Sequence, residues 1–155
     1  MNWTFVAITA AVTVIAATAG NQLIPKAALS WFRALNSPRW LVSYPVFIVV
    51  GLAYYLLIGT VLYRALDRHD TAAVAWSTVV IIANEAWNAV FFGRRSTLGG
   101  FAGILAFTVP VTALLLSAQE DGLSLVLVVL YAAWVAYDVA WTFALWRRNL
   151  DRVPG

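Results

Sequence analysis

Ala83-Asn84-Glu85-Ala86-Trp87-Asn88-Ala89-Val90-Phe91-Phe92-Gly93-Arg94-Arg95 is the stretch on which the reading of this chain turns. Upstream of it, residues 71–82 contain no charged side chain, so two amides and a carboxylate lie in a segment that otherwise reads as lipid-spanning. On a helix Asn84, Trp87, Asn88 and Phe91 follow the i, i+3, i+4, i+7 pattern and share a face, with Glu85 to one side beside Ile81, Ala89 and Phe92. An acid at such depth costs about 2.5 to 3.5 kcal/mol on insertion scales, so these groups are expected to face a bundle interior or a cavity. The same groups would also serve as hydrogen-bonding glue between helices, and the pattern alone leaves both roles open.

The rest of the chain agrees with a membrane setting. Of 155 residues, 63% are hydrophobic and 11% charged, with a mean hydropathy of +0.82, which is too apolar for a soluble domain of this size. A span takes roughly 20 residues, so about five helices with short loops use the full length. We therefore expect an all-α fold, one integral membrane bundle of five transmembrane helices over residues 1–155. Its spans should cover about residues 3–24, 45–63, 71–92, 98–118 and 123–146.

The first apolar run has no basic residue ahead of it and reads as a retained helix, not a cleaved signal. Between Lys26 and Tyr44 lies the longest loop, with a short amphipathic piece at Trp31-Phe32-Arg33-Ala34-Leu35 and a turn at Asn36-Ser37-Pro38; it reads as a lid or an interfacial segment. Pro45 suits the first turn of the second span, and Pro110 is expected to kink the fourth. Gly99, Gly103, Ala102 and Ala106 give that span small residues at four-residue spacing, which favours close helix packing.

With five spans the loop charges separate. Lys26, Arg33, Arg39, Arg94, Arg95, Arg147, Arg148 and Arg152 fall on one side against Asp151, while Arg64 and Arg68 share the other with Asp67, Asp70, Glu120 and Asp121. The Lys/Arg excess marks the cytoplasmic side, so the N-terminus is expected outside and the C-terminus in the cytoplasm, in a cytoplasmic (inner) membrane. The net charge of +3 thus reads as topology, and nucleic acid is not an expected partner. Cysteine is absent and His69 is the sole histidine, which removes thiol chemistry and leaves no basis for a metal site.

Eight tryptophans are placed in two ways. Trp3, Trp40 and Trp146 lie near span ends, where interfacial anchoring is the ordinary role. Trp87, Trp134 and Trp141 lie deeper, and Trp134, Asp138, Trp141 and Thr142 share one face of the fifth span, so a second intramembrane carboxylate sits between two indoles. This is the composition of a cavity wall, although Asp138 could equally pair with a loop arginine or stay uncharged. Glu85 and Asp138 are also the raw material for acid/base work on an isoprenoid-like lipid. No nucleophile motif, phosphate-cradling loop or metal cluster accompanies them, so catalysis is the weakest of the readings.

Three blocks carry a family resemblance. Residues 31–40, Trp-Phe-Arg-Ala-Leu-Asn-Ser-Pro-Arg-Trp, resemble the Trp-Tyr-x-x-Leu-x-Lys-Pro-x-Trp segment of the TspO/MBR family of tryptophan-rich sensory and translocator proteins, the peripheral benzodiazepine receptor group. Asn84 to Trp87 with Phe91-Phe92-Gly93 is similar to its Asn-x-x-Trp-x-x-x-Phe-Phe-Gly, and Ala133-Trp134 with Trp146-Arg147-Arg148-Asn149 to the Ala-Trp and Trp-Arg-x-Asn of its fifth helix. The resemblance implies five spans, frequent dimers, and a central pocket for porphyrins and heme-related tetrapyrroles, for sterols in animals, and for benzodiazepine-like ligands.

Departures from the family are specific. Val42-Ser43 replace its Pro-Pro, Leu130 the proline before Tyr131, and Thr142 an asparagine, while Tyr55 and Gly59 are kept. Its pocket tryptophan on the second helix falls on Gly51, which implies more room and counts against tryptophan-dependent porphyrin breakdown. Phe143 in place of the sterol-motif tyrosine counts against cholesterol. Glu85 and Asp138 are outside the family motif, so no role carries over to them.

The expected site is a cavity under the residue 26–44 loop, lined by Trp31, Trp40, Tyr55, Asn84, Trp87, Asn88, Trp134 and Asp138. It would take a flat apolar ligand, first a tetrapyrrole such as protoporphyrin or heme, by stacking rings on indoles while amides and carboxylate fix orientation. No cofactor is required on this reading, and the partners are the ligand, membrane lipid, and a homodimer mate or larger membrane complex. The competing reading is an accessory structural subunit of such a complex, packed through its small-residue faces.

Overall fold

The computed structural model describes residues 1–150, which leaves Asp151 and Arg152 of the charge count outside the described residues. All its regular elements are helices, and five are long and apolar enough to cross a membrane.

Helix α1 (Trp3–Leu23) starts on Asn2, whose side chain accepts from the Thr4 amide at 3.1 Å. An N-cap oxygen of this kind satisfies a donor that the helix itself leaves free. Pro25 then turns the chain, and the amphipathic piece forms a short helix, α2 (Ala28–Ala34). Helix α3 (Tyr44–Asp67) carries Pro45 in its first turn. It runs past residue 63 because Arg64, at the sequence-based end, is held by Asp121 through two bonds of 2.5 and 2.6 Å. His69, in the left-handed backbone region at φ 55°, reverses the chain.

Helix α4 (Thr71–Asn88) is capped by Asp70 on the Ala73 amide and passes directly into a π-helical turn at Ala89–Gly93. Ser96 caps α5 (Thr97–Ser117), which continues through Pro110, and α6 (Gly122–Arg148) completes the chain.

Helices α3, α4, α5 and α6 close a ring in that order, α6 returning to α3, and α1 covers the seam between α3 and α4. The small residues of α5 are used inside this ring: a methyl on Gly100 would lie 2.3 Å from the Phe91 ring, and one on Gly103 would lie 3.0 Å from the Trp87 indole. Such proximity lets α4 bring two large aromatics against the α5 backbone.

The interior contains two apolar clusters. The larger fills the half near Arg64 and Asp121, with Ile58, Val80, Phe107, Leu114, Val128, Tyr131 and Val135. The second is aromatic and lies toward α2, where Phe32, Phe91, Trp141 and Leu145 meet Trp31, Phe47 and Trp87. Dispersion and area burial hold both together; Phe91 and Trp141 are almost completely enclosed.

The α2 segment is fastened over the aromatic cluster. Asn149, buried at the end of α6, exchanges hydrogen bonds with the backbone of Asn36, accepting from its amide at 2.9 Å and donating to its carbonyl at 3.3 Å. Farther along, the Val42 amide donates to the Tyr137 hydroxyl at 2.9 Å. The longest loop is therefore ordered, and it covers the end of the bundle where the basic residues gather.

Candidate functional site

Between the two apolar clusters the buried stripes of three helices change character. On α4, Val80 and Ile81 belong to one cluster and Phe91 to the other, and Glu85 lies between them. On α6, Tyr131 and Val135 precede Asp138, and Trp141 and Leu145 follow it. On α3, Tyr54 and Ile58 are on one side, Phe47 on the other, and Gly51 is in the gap. The molecule thus has a polar layer across its middle, bounded above and below by apolar packing.

Glu85 is the hub of that layer and is only 8% exposed. Its Oε1 accepts from the Tyr55 hydroxyl at 2.7 Å and the Asn84 amide at 3.2 Å, and its Oε2 accepts from the Asn88 amide at 3.4 Å. Gly20 makes room for it, since a Cβ there would stand 1.8 Å from Oε2. Helices α1, α3 and α4 therefore meet on one carboxylate. Glu85 was expected to one side of the amide face. In the structure it continues the buried Ala73, Ser77, Ile81 stripe, and both amides turn toward it.

Asp138, equally enclosed, accepts from the Trp141 indole N–H at 2.6 Å, so its partner is an indole and not a loop arginine. Trp134, one turn earlier on the same face, stands against Phe47 at 6.1 Å and Tyr137 at 5.0 Å between ring centroids. The two acids have separate hydrogen-bond partners, with the tyrosines Tyr55, Tyr54 and Tyr131 in a row between them at 5.0 Å spacings. Tyr54 Oη is buried and has no hydrogen-bond partner among the described residues.

Of the eight residues expected to line one cavity, the structure places Tyr55, Asn84, Asn88, Trp134 and Asp138 at this layer. Trp87 belongs to both clusters, but its indole N–H is committed to the Gly100 carbonyl at 2.8 Å and its ring is stacked on Phe91. Trp31 lies in the aromatic cluster, edge-on to Phe91 at 5.4 Å. Trp40 stands at the rim, 50% exposed and edge-on to Tyr137 at 5.8 Å, a position suited to interfacial anchoring.

Gly20, Phe47, Tyr54 and Tyr137 enter the site without having been singled out from sequence. Gly51 was flagged as a source of room, and a Cβ at Gly51 would meet nothing within 4 Å; the residue is half-buried and stands three and seven positions before the buried Tyr54 and Ile58.

Outside the layer, the bidentate Arg64–Asp121 pair joins α3 to the start of α6, with Ser124 donating to the same carboxylate at 2.6 Å. These bonds, with the guanidinium contribution largest, hold Asp121 well below the usual carboxylate range.

Five membrane-spanning helices enclosing a polar layer walled by aromatic rings define this as a multi-pass integral membrane protein built around its interior. The class has a narrower identity. The chain belongs to the TspO/MBR family, whose sequence model matches residues 5–147. It is 29% identical over 131 residues to Protein CrtK of Rhodobacter capsulatus, covering 81% of this chain and 82% of that one. It is 25% identical to the Tryptophan-rich protein TspO of Archaeoglobus fulgidus over 134 residues, 84% of this chain and 88% of the relative. The Tryptophan-rich protein TspO of Chlorobaculum tepidum is likewise 25% identical, over 137 residues, with 84% and 87% covered.

Proposed function

We propose that this family member is a membrane-embedded binding protein, sensor- or transporter-like, for a flat and largely apolar ligand, with a tetrapyrrole such as protoporphyrin or heme as first choice. One observation carries the reading: two carboxylates and two amides occupy a layer between apolar clusters, beside a glycine with open space before it on the inward face of α3. Groups that only joined helices would be expected to be surrounded by packed side chains. A ligand ring in the layer would bury its faces against Trp134, Phe47 and Tyr54 and direct polar atoms to Asn84, Asn88 and Asp138.

Entry is from the end covered by α2, where the basic residues of the loops gather. That end is the cytoplasmic one by the Lys/Arg rule, which puts the N-terminus outside and the C-terminus in the cytoplasm. Acidic side groups of a tetrapyrrole would face Lys26, Arg33 and Arg39 there.

Protoporphyrin should quench the tryptophan fluorescence saturably, and Trp134→Ala or Asn84→Ala should each raise the apparent Kd about three- to tenfold, the loss of one ring contact or one hydrogen bond. Unchanged titrations in both variants would remove the layer as the binding site.

A further inference from the structure

Asp138 and Glu85 share an electrostatic peculiarity. Every hydrogen-bond donor found on them is neutral, namely the Trp141 and Trp134 indoles, the Tyr55 hydroxyl and the Asn84 and Asn88 amides. The ion pairs among the described residues, Arg64–Asp121 and Arg68–Glu120, are both at the outer end of the bundle. The interior layer therefore concentrates acidic groups without a compensating cation, in a medium where charges interact far more strongly than in water.

The two acids differ in how much of their binding capacity is used. Glu85 has three donors and Gly20 pressed against Oε2, so it is saturated and enclosed. Asp138 has two indole donors, Trp141 on its Oδ1 and Trp134, one fewer than Glu85. Across the α3–α6 seam, Phe47 touches both Trp134 and Trp141, at 6.1 and 5.5 Å, which sets it at the level of Asp138; Tyr54 touches Tyr131 at 5.0 Å, two turns away. Gly51 lies between Phe47 and Tyr54 on α3, and its open side is bracketed by the same two contacts. Asp138 is thus the acid of the seam that opens at Gly51.

We propose, building on the ligand-binding reading above, that Asp138 selects the ligand by charge: the seam takes a flat aromatic whose inserted edge carries a protonated amine or another N–H donor, and disfavours one carrying a carboxylate there. A charge-assisted bond to a buried carboxylate is about twice as strong as a neutral one, whereas a second carboxylate is repelled. A porphyrin escapes the repulsion by keeping its carboxylates at the basic end and inserting its opposite, uncharged edge. The partnerless Tyr54 hydroxyl, one turn from Gly51, offers a further acceptor or donor on the opposite wall.

The test uses the full chain in phosphatidylcholine nanodiscs, with 1-pyrenemethylamine and pyrene-1-carboxylate as probes of equal ring size and opposite charge, and protoporphyrin alongside. The native protein should bind the amine at least about tenfold more tightly than the carboxylate, and Asp138→Asn should bring the ratio below about threefold, mainly by weakening the amine. Gly51→Leu, whose Cβ meets nothing within 4 Å and whose longer side chain enters the open side, should weaken both probes together. An unchanged ratio in Asp138→Asn overturns the proposal, as does binding of protoporphyrin with no preference between the pyrenes; in both cases the binding function survives. Absence of binding by all three ligands overturns the function as well.

Discussion

Replacing Gly20 by alanine tests the claim that three helices meet on Glu85. The added methyl would stand 1.8 Å from Glu85 Oε2, 2.8 Å from its Cδ and 3.3 Å from the Tyr55 hydroxyl. Oε2 is the tip of a flexible side chain, so the steric overlap is relieved by swinging the carboxylate away and the α1 backbone need not move. The cost comes from what the carboxylate leaves behind. Its bonds to Tyr55 at 2.7 Å and Asn88 at 3.4 Å cannot both survive a displacement of more than an ångström. A hydrogen bond to an acid is worth about 1.5 to 3 kcal/mol, and the longer Asn88 bond belongs at the bottom of any such range, so the loss is about 2 to 4 kcal/mol. Alanine returns up to about 1 kcal/mol of helix propensity, which leaves a net destabilisation of about 1 to 4 kcal/mol. Unfolding in mixed detergent micelles measures it. The decisive comparison is the same substitution in a Glu85→Ala background, where the methyl has space and Gly20→Ala should be neutral or slightly stabilising. An equal cost in both backgrounds would refute the hub, because the penalty would then come from the α1 backbone itself.

Two other expectations concern the ends and the seam. For the Arg64–Asp121 clamp, the folded-state pKa of Asp121 is depressed, so its stabilising contribution is fully present above the unfolded value near about 4 and is lost as pH falls toward the folded one. The stability difference between the native protein and Asp121→Asn should therefore be constant from about pH 5 to 8 and shrink below about pH 4; a difference that grows on acidification would contradict it. For the glycines, Gly100→Ala forces the Phe91 ring to move in the aromatic cluster and should cost about 1 to 3 kcal/mol, whereas Gly51→Ala meets open space and should be neutral or stabilising by up to about 1 kcal/mol. Parallel thermal melts in detergent separate the two, and equal shifts would mean that α3 at Gly51 is packed.

Much of the architecture was legible because lipid immersion makes hydropathy decisive. Five apolar runs gave five spans, whereas the caps at Asp70 and Ser96 came only with the structure. What escaped depends on partners distant in the chain. The second span reaches Asp67 because Arg64 finds Asp121, 57 residues later. The small-residue stripe of α5 carries no label saying whether it serves another chain or its own; Phe91 and Trp87 occupy it. The π turn at Ala89–Gly93 adds to the helix a twist that a 3.6-residue wheel does not contain, which shifts the residues after Asn88 relative to those before it.

The case of Glu85 shows why polar residues in a membrane are hard to assign by face. A wheel ranks positions by apolarity and gives the inward side to the aromatics and amides, yet the energetic order is the reverse. A carboxylate has most to lose from lipid, so it takes a buried position, and the amides, which are cheaper to leave partly exposed, rotate to serve it. The same ordering applies to Asp138, which holds the buried position on α6 while Trp134 stays half-buried. Between these two acids α3 contributes a glycine and two tyrosines. Packing alone would fill such a gap with a large side chain, as both neighbouring clusters do. On the ligand-binding proposal, the opening at Gly51 beside these costly groups is the place where a guest molecule completes the layer.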